Sequence, residues 1–412
     1  MSAIFLRTVR VSPDLNAPIE AKLRATVGNV GNMLFETALK NQLSNDVEEI
    51  WRVQDIPEDL DLLILSMSNF ISPATDLKVF ADEIEKKKVN KIVMVGCGAQ
   101  AYDANEQIDL KPGTKRFVDL LSERSKSVGV RGVYTAQVLE KMGYKNTDIV
   151  GCPSVYWPGI KGWPQLEPRA KFESRKYGIH CTPSGKYRDA VKSLLRFGMK
   201  NRCYYLCQSE ISYLDRENIH RDFTYYLGTT EEASECHAHF GEFGKIFFEL
   251  QDWVDFNSTL DFVVGSRFHG NVVTMLAGRP SLSLVFDTRT KELSDHYSLP
   301  YIHFEDFDGD KPVEYYMEKT DYSTFYGTYP TRLLEYCDFL EKNDVPHNIY
   351  DPMKADISAE IMLNNYSEKT ANSIMRNAIL TGYDKDRFQS QLSLRTYLGR
   401  SKEARDLVES RN

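Results

Sequence analysis

No apolar run in this 412-residue chain approaches the roughly 20 residues that a membrane-crossing helix needs. The apolar stretch within Met1–Arg10 is too short for a secretory leader, so the expectation is a cytoplasmic protein with no transmembrane segment. Positive charge is in deficit. The 51 Lys and Arg stand against 59 Asp and Glu, a net charge of −8, which argues against a dedicated nucleic-acid or anionic-membrane surface. Cysteine is sparse: seven residues, odd in number and mostly in apolar company (Cys97, Cys203, Cys207), as buried free thiols usually are. A zinc site built from Cys203, Cys207, Cys236, His237 and His239 is disfavoured. An extended Cys203–Cys207 segment would hold its two thiols about 13 Å apart at ~3.3 Å per residue. Neither a metal nor a bound cofactor is expected. What is present, 42% apolar and 27% charged residues, suits a globular protein long enough for two or three cores.

The first 165 residues alternate short apolar runs with amphipathic ones. Ile4–Val9, Leu62–Met67, Lys91–Val95, Ser127–Val130 and Asp148–Val150 read as strands, with helices over Val30–Leu43, Leu77–Ile84 and Thr135–Met142. Strands separated by helices predict a parallel sheet covered on both faces. Pro153–Pro164, rich in Pro, Gly and aromatics, has no period and reads as the crossing between domains. The alternation then restarts with strands at Tyr177–Cys181, Cys203–Gln208, Lys245–Glu249, Phe262–Gly265 and Leu282–Phe286. Helices are expected over Lys186–Phe197, Asn271–Ala277 and Thr331–Lys342. The predicted architecture is α/β: one domain over 1–165, a second over 166–350, a cleft between them, and a helical C-terminal extension over 351–412.

Chemistry concentrates where strands give way to helices. Ser266-Arg267-Phe268-His269-Gly270 places a cation and an imidazole at a strand's carboxyl end, beside the free N–H groups of a helix start. Open α/β sheets hold ligands there, and helix N-termini favour anions. Ser266, Gly270 and Asn271 belong to the same candidate site. His269 is either a proton carrier near neutral pH or a core histidine bonded to backbone. Arg131 stands at a similar junction in the first domain, suited to a carboxylate or phosphate or simply to surface pairing. Gly28-Asn29-Val30-Gly31-Asn32 precedes the first long helix, either as backbone donors facing the cleft or as a well-made cap. Phe286–Lys291 again ends a strand in charges, and either Arg289 or Lys291 is placed to reach an anion. Gly96-Cys-Gly-Ala-Gln-Ala101 formally matches a dinucleotide fingerprint, but no apolar helical face follows it and Pro112-Gly113 intervenes.

Together these residues resemble the polysaccharide pyruvyl transferase family, over about Val27–His303. The likeness is carried by Val130-Arg131, Gly151-x-Pro153, Ser266–Gly270 with Ala277-Gly-x-Pro280, the Phe286–Lys291 charges and Leu299-Pro300. The resemblance implies a GT-B-like pair of Rossmann-like domains. It also implies transfer of pyruvate from phosphoenolpyruvate, as co-substrate, to a sugar or lipid-linked oligosaccharide acceptor, with His269 as general acid and Arg131 beside it. Three departures stand out: Cys152 occupies a position where Asp is usual, Phe268 one where Leu is usual, and the basic residue after the Phe286 strand is either Arg289 or Lys291. Tyr134, Tyr156 and Trp157 lie where a sugar ring would stack, or where a hinge would pack. Two rival readings remain, a nucleotide-sugar glycosyltransferase of the same architecture and a non-catalytic member of the family.

Overall fold

The computed structural model describes residues 2–9, 17–102, 106–160, 175–215 and 217–349; the helices expected beyond Pro352 lie outside them. The first lobe runs β1 (Ala3–Leu6), α1 (Ile19–Ala25), α2 (Asn32–Gln42), β2 (Glu48–Ile50), β3 (Asp59–Leu65) and α3 (Lys78–Lys86). It continues through β4 (Lys88–Met94), α4 (Pro112–Arg124), β5 (Val128–Val130), α5 (Val133–Lys141) and β6 (Thr147–Ile149). The second opens with β7 (Tyr177–His180), α6 (Arg188–Lys200), β8 (Tyr204–Leu206), α7 (Arg221–Leu227), α8 (Thr230–Phe243), β9 (Gly244–Lys245) and α9 (Leu250–Ser258). It closes with β10 (Phe262–Gly265), α10 (Phe268–Leu276), β11 (Ser281–Val285), α11 (Thr288–Tyr297), β12 (Tyr301–His303), α12 (Val313–Glu318) and α13 (Ser323–Lys342). No helix among the described residues is long and apolar enough to cross a membrane.

Among the described residues every pairing between the named strands is parallel, as continuous apolar runs such as Leu62–Leu65 require when both sheet faces are covered. The first sheet has the order β2-β1-β3-β4, and a bridge between Cys97 and Val130 joins the β5-β6 pair to its edge. Its order reverses between β1 and β3. The second sheet runs β12-β11-β10-β7-β8-β9, which counted from β7 is the doubly wound order with its reversal between β7 and β10. Connections leave a sheet in opposite directions at such a reversal, so a crevice opens at the strands' carboxyl ends. The loops after β3, β7 and β10 therefore define where a ligand is held.

Each lobe has its own apolar core, but a third cluster spans both. It combines Phe5, Leu62 and Ile64 of the first sheet with Val272 and Met275 of α10, Tyr297 of α11, and Tyr336 and Phe339 of α13. The interlobe crossing is thus a shared core. Pro153–Ile160 forms a 3-10 helix where an aperiodic linker was expected, and it delivers Tyr156 into that core, stacked on Tyr336 at 4.5 Å. Tyr156 is accordingly packing and not a sugar platform. Helix α13 begins in the second lobe and finishes on the first. There Tyr336 Oη donates to Gln42 Oε1 at 2.8 Å and Asn343 Nδ2 to Ser127 Oγ at 3.1 Å. It starts eight residues before the expected Thr331, because Gly327 and Pro330 mask the helical pattern in sequence. The strand expected over Lys245–Glu249 pairs only at Gly244–Lys245, at an edge with one neighbour.

Candidate active site between the two sheets

A cavity of about 90 Å³ lies between the two crevices, lined from the first lobe by Asn29, Asn32, Ser68, Asn69 and Arg131. The second lobe contributes Thr182, Gln208, Ser266, Arg267, His269 and Arg289. Arg131, Arg267, His269, Arg289, Ser266, Asn29 and Asn32, singled out from the sequence, thus line one cavity.

Arg131 is buried at the end of β5 and aimed by its surroundings. Its Nε donates to Gly96 O at 2.9 Å and its Nη1 to Asn69 Oδ1 at 3.4 Å. Arg267, the cap residue of α10, donates from Nε to Cys181 O at 2.8 Å and from Nη2 to Ser209 Oγ at 2.6 Å, and forms an ion pair with Glu210. Arg289 donates from Nε and Nη2 to Asp287 Oδ2, at 2.9 and 2.6 Å. A guanidinium carries five N–H donors, so these contacts fix each plane while using only part of its capacity. Acidic partners on Arg267 and Arg289 make the site less positive than three bare arginines would be.

His269 sits in the first turn of α10, its ring stacked on Phe35 of α2 at 5.6 Å and 28°. Its Nε2 is 3.7 Å from Cys152 Sγ. Burial, then Arg131 and Arg289, lower its pKa to about 3, so the imidazole is neutral at physiological pH. Cys152 is fixed by Tyr297, whose Oη accepts from Cys152 N at 2.7 Å and donates to Cys152 O at 3.0 Å. Gly151 makes this possible, since with φ +72° a Cβ there would overlap the Tyr297 hydroxyl.

Other expected residues take supporting places. Ser266 Oγ accepts from Thr182 N at 2.8 Å, tying the ends of β10 and β7 together at the reversal. Asn271 points away from the cavity; its Nδ2 donates to Gly265 O and Ser283 Oγ, at 3.1 and 3.0 Å, joining α10 to the sheet. Gly270 and Gly31 act by close approach. A Cβ on Gly270 would lie 2.6 Å from His180 Nε2, and one on Gly31 2.5 Å from Gln208 Oε1. Gly28 is exposed with open space around it and a φ of +75°, a turn residue outside the cavity lining. Asn29 Oδ1 accepts from Gly31 N at 2.8 Å, an Asx turn leading into α2. Lys291 departs from expectation. It lies one helical face away from Arg289, pairs with Asp295 at 2.6 Å, and lines a second cavity of about 400 Å³ with Tyr134, Glu292 and Arg332.

Sequence reasoning missed His180, Gln208, Glu210, Asn69 and Glu292. His180 is buried with its pKa lowered to about 3 by burial and then Arg267, and its Nδ1 accepts from Arg267 N at 3.2 Å. Gln208 is wedged between Gly31 and Gly270, and its main-chain oxygen accepts from Val30 N at 2.9 Å. His180 ends β7, which flanks the reversal, and Gln208 follows the neighbouring β8, positions detectable only once strand order is known.

Residues 29–288 match the family described as polysaccharide pyruvyl transferase. The chain belongs to that family. The match runs from Asn29 to Thr288, so it includes the helix-start asparagines, Arg131 and the whole Ser266–Gly270 junction. A comparison with curated proteins gave no match. Among solved structures, a functionally uncharacterised protein from Klebsiella pneumoniae superposes with a TM-score of 0.39 at 12% identity, covering 73% of this chain and 93% of that one. S. aureus MnaA, solved with UDP, gives 0.38 at 9% identity over 95% of this chain and 99% of its own. UDP-GlcNAc 2-epimerase from Methanocaldococcus jannaschii gives 0.34 at 11% identity, over 71% and 74%.

Proposed function

We propose that this pyruvyl transferase family member moves pyruvate from phosphoenolpyruvate onto hydroxyls of a sugar in a cell-surface polysaccharide or its lipid-linked precursor, closing a cyclic ketal and releasing phosphate. The observation that carries the reading is the convergence of Arg131, Arg267 and Arg289 with His269 on one small cavity. Phosphoenolpyruvate presents a carboxylate and a phosphate within a few ångströms of each other. Three oriented guanidiniums and the start of α10 match that compact pair of anions better than they match a nucleotide.

The steps follow from this placement. The donor's negative charge offsets Arg131 and Arg289, so the His269 pKa rises on binding and the ring takes up a proton. The imidazolium passes that proton to the donor's methylene carbon, and the C=C electrons form the new C–H bond, leaving C2 cationic. A sugar hydroxyl attacks C2 and loses its proton. The C2–O bond to phosphate then breaks, phosphate carrying away the electron pair, and a second hydroxyl attacks C2 and gives up its proton to solvent, closing the ketal. The arginines stabilise charge on the departing phosphate.

The deciding assay incubates the protein and a polysaccharide fragment with phosphoenolpyruvate or with nucleotide sugars. Phosphate release with phosphoenolpyruvate, together with acceptor mass gain matching a ketal, is the expected result. Nucleoside diphosphate release from a nucleotide sugar would replace this reading with glycosyl transfer. An unshifted thermal transition in phosphoenolpyruvate would leave a non-catalytic family member.

A further inference from the structure

Helix α5 starts without a cap of its own. Its cap position is Gly132, which offers no side-chain acceptor. An unmet N–H at a buried helix start costs about 1–3 kcal/mol. The acceptor arrives from the other lobe. Glu292 of α11, buried, accepts at Oε2 from Thr135 N at 2.9 Å and at Oε1 from Thr135 Oγ1 at 2.7 Å. Thr135 Oγ1 itself accepts from Ala99 N at 2.9 Å, so the contact extends into the loop after β4. A Cβ on Gly132 would lie 2.7 Å from Glu292 Cβ and 2.9 Å from its Oε2, so glycine at 132 is what admits the carboxylate. The residue before Gly132 is Arg131.

We propose that Glu292 is a positioning residue of the donor site: from the second lobe it caps the helix that follows Arg131, and its carboxyl sets how much of the Arg131 charge remains for an anionic donor. This rests on the reading of the cavity as the seat of phosphoenolpyruvate. Burial raises the Glu292 pKa to about 7, against the opposing pull of Thr135 and Arg131 and with a further push from Asp287. Lys291, Asp295, His296 and Arg332 share the second cavity with it. Three of these are already paired, Lys291 with Asp295 at 2.6 Å and Arg332 with Glu335 at 2.8 Å. The cap persists in either protonation state, because a carboxylic acid still accepts from Thr135 N while donating to Thr135 Oγ1. Only the charge changes. As pH rises through about 7, the ionised carboxylate offsets Arg131 and weakens donor binding. Donor binding in turn favours the protonated acid, by linkage.

The test is equilibrium binding of phosphoenolpyruvate to the full chain between about pH 6 and pH 8.5, for the wild type, Glu292→Gln and Glu292→Ala. The donor's own phosphate titrates in this window, so the reading is the difference between proteins at each pH. The wild type is expected to lose at least about threefold more affinity across the range than Glu292→Gln, which keeps the cap without the charge. Glu292→Ala is expected to bind at least about tenfold more weakly at every pH, from the lost cap and misplaced Arg131. If Glu292→Ala fails to fold, the Gln comparison still decides. Identical pH dependence in the wild type and Glu292→Gln overturns this role alone. A folded wild type that binds no phosphoenolpyruvate at any pH overturns the donor reading, and this role with it.

Discussion

The imidazole of His269 can deliver a proton only if something raises its pKa from about 3. Among the described residues no carboxylate pairs with this ring, whose Nε2 has Cys152 Sγ at 3.7 Å, so the donor's own charge must do so. His269→Ala should keep phosphoenolpyruvate binding while turnover falls about 10²–10⁴-fold, read from binding and steady-state phosphate release on one preparation. Normal turnover would remove the proposed acid. Arg267→Ala should lose both binding and turnover. It should also destabilise the fold by about 3–5 kcal/mol, visible in denaturant melts, because Glu210 is left buried and unpaired. Cys152→Asp sets a carboxylate against the ring, and an opposite charge at that range raises a histidine pKa. The limb of the pH–rate profile governed by His269 should therefore move alkaline by roughly 1–3 units. An unmoved profile would show that the imidazole does not face position 152 during catalysis.

Helices α2 and α10 meet where glycine is required, at the cap before α2 and in the first turn of α10, and Gln208 is caught between Gly31 and Gly270. This contact seats Phe35 against His269 and holds both helix starts at the cavity rim. Gly270→Ala should cost about 1–3 kcal/mol of stability, since its Cβ would meet His180 and Gln208, both buried and held by backbone contacts. Donor affinity should fall with it although no donor contact is removed, a pairing that calorimetry and binding titration can check. Wild-type affinity in a destabilised Gly270→Ala would separate the crossing from the site. Elements whose period dominates their sequence were legible, such as β10, read as Phe262–Gly265 and found there. Helices α1, α4, α7, α8, α9, α11 and α12 were not foreseen. The apolar stripe of α11 is diluted by Thr, Lys, Asp and His, and its start is set by a capping box between Asp287 and Thr290.

For the molecule as a whole, the core shared between lobes predicts one cooperative unfolding transition, with fluorescence and circular dichroism midpoints coinciding; two separated midpoints would contradict it. His180, His269 and His296 all have pKa values lowered to about 3, chiefly by burial. A folded pKa below the unfolded value of about 6.5 gives stability that is present above that pH and lost as pH falls through it toward 3. Acidification to about pH 5 should cost roughly 1–2 kcal/mol for a fully buried ring such as His180, measured as a falling melting temperature. Glu292 works in the opposite sense, its contribution complete below about 4.5 and lost as pH rises through about 7. The alternation of apolar runs and glycine-marked junctions pointed, without coordinates, to two α/β lobes and to Arg131, Arg267 and His269, which line one cavity, because both periodicity and helix-start chemistry are local. Which face of α11 meets the cavity, the acid that pairs with Arg267, and the Cys152–His269 contact were decided only by tertiary structure. These pair residues up to 117 positions apart, and their meeting depends on strand order and helix crossing, which no local pattern encodes.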